Sequence, residues 1–238
     1  MGPWVHGGWA KGAGEYLGNV RFGSKTSEWY QKKIEIPFFE YHLEGKGTLS
    51  SIPEASVFFT GENEWHSFNQ WPPANAAHKK LYFDNDGLTW SRPEEPQKRN
   101  YTSDPQHPVA YADGVHMRRT TEYMVDDQRF AARRADVVTF TTPVLNRDLT
   151  IGGQILANIY ASISTTDADF VVKLIDVFPD DFSWDDKKDG KGNGKDYTMG
   201  GYQMLVRGEI MRGRYRNSFQ YPEAFQPGKV SKVAFALP

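Results

Sequence analysis

His6 is the residue of this sequence whose surroundings best suit chemistry. It lies in residues 2–8, which read Gly-Pro-Trp-Val-His-Gly-Gly. A histidine acts as a general base when a carboxylate orients it and a nucleophile lies within hydrogen-bond reach. The two glycines after it let the backbone turn closely around the ring. The local sequence supplies neither partner, so these residues alone favour an ordinary loop histidine.

The remaining histidines show no metal-ligand spacing, which favours surface or hydrogen-bonding roles. They are His42, His66, His78, His107 and His116. The chain has no Gly-x-Ser-x-Gly nucleophile elbow, phosphate-binding loop, dinucleotide fingerprint or His-Glu-x-x-His motif. We therefore predict no metal and no cofactor.

Residues 185–196 superficially resemble a calcium-binding loop. Lys187 stands where an oxygen ligand is needed, and Asp196 replaces the usual bidentate glutamate. The flanking sequence is typical of strands rather than helices. The segment is predicted to be a solvated, charged loop.

Trp65 and Trp71 follow the first predicted strand and are weak candidates for substrate binding. They could line a cleft, although packing at the rim between two modules is the favoured interpretation. Aromatic residues make up 14% of the chain. This content favours a β-rich core, and a stacking surface for a sugar or aryl group is the alternative.

Two kinds of element are predicted to position these side chains. Residues 1–25 are Gly-rich and irregular. A helix is predicted with Thr26 or Ser27 as its N-cap; Pro37 should kink or split it, and Gly45 and Gly47 should end it.

From about residue 53 the hydrophobic period changes from 3.6 to 2, which indicates strands. The predicted strands are 54–60, 79–83, 88–90, 118–125, 136–141, 149–151, 155–164, 170–178, 204–211 and 230–237, with a turn at Asp86-Gly87 and a long loop over 92–108.

Composition narrows the class of protein. The chain has 238 residues, 24% of them charged, and a net charge of −2. This balance gives no support to a nucleic-acid binder. The chain has no cysteine, which excludes disulfides and cysteine-ligated zinc, and no run of ~18 apolar residues that could span a membrane. Both ends of the chain read like the inside of a domain, so we expect a fragment of a longer protein.

Seven segments, taken in order, resemble the cocaine esterase / X-prolyl dipeptidyl peptidase family, which includes α-amino-acid ester hydrolases and glutaryl-cephalosporin acylases. The most specific are the Gly-Pro-Trp-x-His loop and the Thr-Asp-x-Asp-Phe strand. The segments are residues 2–7, 38–47, 60–65 with 71–73, 136–141, 149–153, 166–180 and 212–216.

The resemblance implies a mainly β chain. An antiparallel jelly-roll sandwich of the galactose-binding-like type would occupy residues 51–238, truncated before its last strands. Residues 1–50 would be the C-terminal remnant of an α/β-hydrolase domain, carrying the catalytic histidine loop and the last helix. His6 would be the triad histidine, with the serine and aspartate upstream of this chain.

The expected function is therefore the C-terminal part of a serine hydrolase that cleaves acyl ester, amide or X-Pro dipeptidyl bonds. The fragment alone is expected to be inactive, and its exposed helix to promote self-association. The intact enzyme would act on a small-molecule or peptide acyl substrate without nucleic acid or a membrane span, and many relatives are exported. The alternative is a free-standing β-sandwich binding module of the carbohydrate type.

Overall fold

Antiparallel strand pairs make up most of the regular structure. The computed structural model describes residues 1–85, 87–95, 97–118 and 120–237. Within these ranges, ten strands form five two-stranded units. The pairs are β1 (Tyr16–Leu17) with β2 (Val20–Arg21), β3 (Ala55–Phe59) with β4 (Glu64–Phe68), β5 (Tyr82–Asp84) with β6 (Gly87–Thr89), β7 (Ile155–Ala161) with β10 (Ser231–Leu237), and β8 (Asp169–Val177) with β9 (Gln203–Arg212). Helices are few: α1 (Thr26–Tyr30), α2 (Ile36–Glu44) and α3 (Arg129–Ala132).

The two longest strand pairs enclose one apolar core. Alternate residues of β10 are buried, and Val233 is fully inaccessible to solvent. Val233 pairs with Ile159 of β7, and this face packs against Phe170 and Met211 of the β8–β9 pair. Alternation that buries one face of each pair is typical of a β-sandwich. The mainly β architecture is confirmed, and the jelly-roll arrangement stays a prediction.

A second core joins residues on both sides of the predicted domain boundary at residue 50. Val20 and Phe22 are buried together with Phe58, Met204 and Tyr202. The Tyr202 hydroxyl donates to the Val125 carbonyl oxygen over 2.8 Å, and burial raises the pKa of this phenol. The first strand pair is thus packed into the β-rich part of the chain.

The predicted helix is present, and Pro37 lies in the first turn of α2. The five residues before α2, Gln31–Glu35, form a π-helical turn between α1 and α2. Such a turn accommodates the missing proline N–H without ending the helix. Gly45 ends α2 at φ 67°, in the left-handed region, as predicted.

The predicted N-cap is wrong. Lys25 occupies the cap position, while Thr26 and Ser27 lie inside the first turn and are fully buried. The reason is tertiary: the backbone N–H of Ser27 donates to the Ala13 carbonyl oxygen at 2.9 Å, so an adjacent chain segment satisfies the helix end.

The strand predictions are confirmed for β3, β5, β6 and the four long strands β7–β10. The segments 136–141 and 149–151 form no strand, and the described part of 118–125 ends in a 3₁₀ turn at Tyr123–Val125. Thr141 makes only an isolated bridge with Gly87. Strands β1, β2 and β4 were not predicted, and Asp86 of the predicted turn lies outside the described residues. No helix in the described ranges is long and apolar enough to cross a membrane.

Candidate functional site

His6 lines an open cavity near the start of the chain. The cavity has a volume of about 310 Å³, and Trp4, Trp9 and Tyr30 contribute its aromatic walls. A turn closed by the Gly8 N–H and the Val5 carbonyl oxygen, 2.8 Å apart, holds the exposed histidine. Gly7 adopts φ 71°, which favours glycine at this position.

The His6 ring lacks the partners that a triad histidine needs. Within the described part of the chain, no carboxylate or hydroxyl forms a hydrogen bond with its nitrogens, and no group of three or more potential metal ligands is present. An exposed, unpaired imidazole on a tight turn could receive a nucleophile and an acid from another segment.

A chain of two hydrogen bonds through the Thr26 hydroxyl anchors the loop before His6. The Trp4 indole Nε1–H donates to the Thr26 hydroxyl oxygen at 2.8 Å, and this hydroxyl donates to the Gly14 carbonyl oxygen at 2.6 Å. Thr26 is fully buried. A side chain on Gly14 would collide with the Thr26 and Ser27 hydroxyls, so glycine is required at that position.

The π-helical turn anchors the other side of the loop. The Gln31 side-chain amide donates to the Trp9 carbonyl oxygen at 2.7 Å, and the Trp9 indole N–H donates to Glu35 Oε1 at 3.2 Å. Sequence reasoning missed Gln31 and Glu35, because polar residues four apart are common on exposed helix faces. The loop that carries His6 is therefore fixed at both flanks to one helix.

The two candidate tryptophans lie on opposite faces of the β3–β4 pair. Trp65 pairs with Phe58 and stacks on Trp29, with ring centroids 4.3 Å apart and an interplanar angle of 8°. Trp71 instead contacts Phe68 at a centroid distance of 5.4 Å. The structure does not bring the two indoles into a shared cleft, and their role in substrate binding stays a prediction.

The charged loop over residues 185–196 packs against the first strand pair, β1–β2. Arg21 Nη1 lies 2.5 Å from Asp186 Oδ1 and 2.8 Å from the Gly190 carbonyl oxygen. The Trp184 indole N–H donates to the Asn19 carbonyl oxygen at 3.0 Å. These contacts fasten the loop to β1–β2 at one end of a cavity of about 480 Å³.

Asp127 links helix α3, the Tyr197 side chain and the start of strand β9. Its oxygens accept from Arg129 Nε at 2.6 Å and from the Tyr197 hydroxyl at 2.9 Å. They also accept from the Gln203 backbone N–H at 3.3 Å. Burial acts to raise the pKa of Asp127, but these hydrogen bonds outweigh it and hold the pKa below its usual value.

Known proteins share this fold over the whole chain. The structure of an aminopeptidase from a marine sediment Thaumarchaeota archaeon matches all of this chain with 34% identity and a TM-score of 0.86, using 38% of its own length. The structure of an α-amino acid ester hydrolase matches all of it with 33% identity and a TM-score of 0.89, using 39% of its own length.

The sequence of the chain is also similar to those of known esterases. The cocaine esterase of Rhodococcus sp. (strain MB1 Bresler) is 26% identical over 250 aligned positions, which cover all of this chain and 39% of the esterase. A putative serine esterase of Mycobacterium bovis is 25% identical over 187 positions, covering 75% of this chain and 28% of the esterase. This chain thus spans about two fifths of the length of the cocaine esterase.

The family model of the X-Pro dipeptidyl-peptidase C-terminal non-catalytic domain matches residues 47–238, which is most of the chain. The same family was indicated by the ordered sequence segments, and the fold and the relatives agree with it. The chain therefore belongs to the cocaine esterase / X-prolyl dipeptidyl peptidase family and carries its C-terminal non-catalytic domain.

Proposed function

We propose that this chain is the C-terminal part of a serine hydrolase and supplies His6 to a Ser-His-Asp triad. The observation that carries the proposal is the exposed His6 on a glycine turn at an open cavity, with no hydrogen-bond partner among the described residues. The relatives of the chain include esterases and an aminopeptidase. The bonds cleaved would be acyl ester, amide or X-Pro dipeptidyl bonds.

His6 would take the proton of the attacking serine and later donate it to the leaving group. A serine and an aspartate from a preceding segment would lie within hydrogen-bond reach of the two ring nitrogens. Anchoring both flanks of the loop supports this role, because a general base must be held in a productive orientation. The mechanism uses no metal and no cofactor.

Residues 1–50 would be the end of an α/β-hydrolase domain, and residues 51–238 a jelly-roll domain. The exposed apolar side chains of α2 support this division, since Leu43 is 78% and Phe39 is 51% exposed. The remaining hydrolase domain would cover them. By itself the chain would be inactive, because it lacks the nucleophile and its activating partners.

A free-standing carbohydrate-binding module is the second candidate. The observation in its favour is the partly buried Trp71, which forms an aromatic group with Phe59 and Phe68. Saccharide binding lost in Trp71→Ala would support this function. A flat titration against a panel of glycans would dismiss it.

The decisive experiment starts with the DNA that flanks this reading frame. We expect an in-frame upstream Gly-x-Ser-x-Gly motif and an aspartate before His6. In that longer protein, His6→Ala should lower kcat for a nitrophenyl ester by ~10³-fold or more, and the control His78→Ala should leave it unchanged. Full activity in His6→Ala, or His6-dependent turnover by the present chain alone, would contradict the proposal.

A further inference from the structure

Trp65 lies in the non-catalytic domain yet touches the segment that carries His6. Its ring is stacked on Trp29 of α1, with 4.3 Å between centroids. It also contacts Trp4, two residues before His6, at a centroid distance of 5.8 Å and an interplanar angle of 42°. Offset and tilted contacts at these distances are favourable aromatic geometries. Trp65 and Trp4 therefore restrict each other's movement.

The β3–β4 pair supports the same segment through its backbone. The Phe58 N–H donates to the Met1 carbonyl oxygen at 3.0 Å, and the Met1 amino group donates to the Ser56 carbonyl oxygen at 2.5 Å. Phe58 is the cross-strand partner of Trp65. Backbone and side-chain contacts from one strand pair thus meet the chain just ahead of His6.

Ring packing, and not hydrogen bonding, determines where the Trp65 indole lies. Its Nε1–H is buried and has no hydrogen-bond partner among the described residues. Burying an unpaired N–H is unfavourable, so the position depends on the contacts of the ring faces. A phenylalanine could keep much of this contact, whereas an aliphatic side chain could not.

We infer that Trp65 is a positioning residue for His6. The catalytic meaning of this inference rests on the proposed function of His6. The packing of Trp65 against Trp4 is a contact of the structure and does not depend on that function. Trp65 packs against the Trp4 ring, Thr26 accepts from the Trp4 indole N–H, and the turn closed by the Gly8 N–H and the Val5 carbonyl oxygen then places the backbone of His6. A displacement of about 1 Å in a catalytic group costs roughly 100-fold in rate. A domain described as non-catalytic would thereby set the geometry of the catalytic loop.

The test uses nuclear magnetic resonance on the full chain. In Trp65→Leu, the order parameter of the His6 amide should fall from about 0.85 to below about 0.6. Hydrogen exchange of the Trp4 indole N–H should accelerate at least tenfold, since a freed loop opens more often. Trp65→Phe should restore most of the order.

Trp71→Leu is the matched control. It removes a partly buried indole that packs on Phe59 and Phe68, on the opposite face of the same strand pair from Trp65. The His6 signals should stay as in the unchanged protein. An equal fall of the His6 order parameter in both leucine variants would show that Trp65 only stabilises the fold in general, which contradicts the inference. An unchanged His6 order parameter in Trp65→Leu would overturn it.

Folding is monitored on the Val233 and Phe235 amides of the distant sandwich core. If Trp65→Leu does not fold, Trp29→Leu decides, because it removes the stacking partner of Trp65 from outside the β-domain and should also lower the His6 order. Unchanged His6 order in Trp29→Leu would then overturn the inference. Failure of the proposed function is recognised separately, as full esterase activity in His6→Ala of the longer protein.

Discussion

Replacing Thr26 with valine tests whether the buried hydroxyl anchors the His6 loop. Valine has nearly the same shape as threonine, so the change creates no cavity. It leaves the Trp4 indole N–H without its acceptor and the Gly14 carbonyl oxygen without its donor. Both hydrogen bonds meet at a residue that is fully buried.

The expected cost follows from these two groups. Leaving a buried polar group unpaired costs about 1–3 kcal/mol. Trp4 is only half-buried and can recover part of its hydrogen bonding from water. We therefore expect Thr26→Val to lower the free energy of unfolding by about 2–4 kcal/mol. Thr26→Ser keeps the hydroxyl and loses one methyl group, which costs about 1 kcal/mol.

Urea unfolding followed by tryptophan fluorescence measures both variants. Thr102→Val changes an exposed threonine and should stay within about 0.5 kcal/mol of the unchanged protein. The reasoning fails if Thr26→Val also stays within that range. It fails equally if Thr26→Ser is as damaging as Thr26→Val, because the methyl group and not the hydroxyl would then matter.

Three further predictions concern other parts of the chain. Gly200→Ala places a methyl group against the Asp180 carbonyl oxygen, so the backbone must shift; we expect a loss of about 2 kcal/mol and a Tm about 4–8 °C lower by calorimetry, and an unchanged Tm would contradict this. Asp127→Asn should cost about 2 kcal/mol at pH 7. Hydrogen bonds lower the pKa of Asp127 in the folded state, so its carboxylate stabilises the fold above the pKa of the same group in the unfolded chain, and this stabilisation is lost as pH falls through the folded-state pKa. The free-energy cost of Asp127→Asn, measured by urea titration, should therefore shrink toward pH 3. A cost that does not change with pH would refute the assignment of this stabilisation to the ionised carboxylate. The chain alone should self-associate through α2, and Phe39→Lys with Leu43→Lys should restore a monomer in size-exclusion chromatography; identical elution of both forms would argue against that surface.

The long strands could be predicted because each has a regular apolar face and turn residues at its ends. β10 alternates over seven residues, β8 is rich in β-branched side chains, and β9 carries apolar Met, Leu, Val and Ile side chains. The segments 136–141 and 149–151 have similar composition but form no strand in the described structure, where Thr141 makes only an isolated bridge with Gly87 of β6. Whether a segment pairs with another strand depends on the whole fold, and the local sequence pattern does not predict it.

The site could be predicted only in part for the same reason. His6 was found from its loop and from the resemblance to the family. Thr26 was noticed for a different role, since a hydroxyl at a helix start usually caps that helix. The contact between Trp4 and Trp65 joins residues about 60 positions apart, and only the three-dimensional structure shows it.

The shared core of Val20, Phe22 and Tyr202 also bears on how the chain folds during synthesis. Phe22 is made about 180 residues before Tyr202, the partner beside which it is buried. At roughly 5–20 residues per second, β1–β2 waits about 10–35 s for the strands that cover it. Contacts of such high sequence separation slow folding, because a long loop must close first. Until Tyr202 has been synthesised, Val20 and Phe22 therefore stay without this apolar cover and present a surface of the kind that chaperones bind.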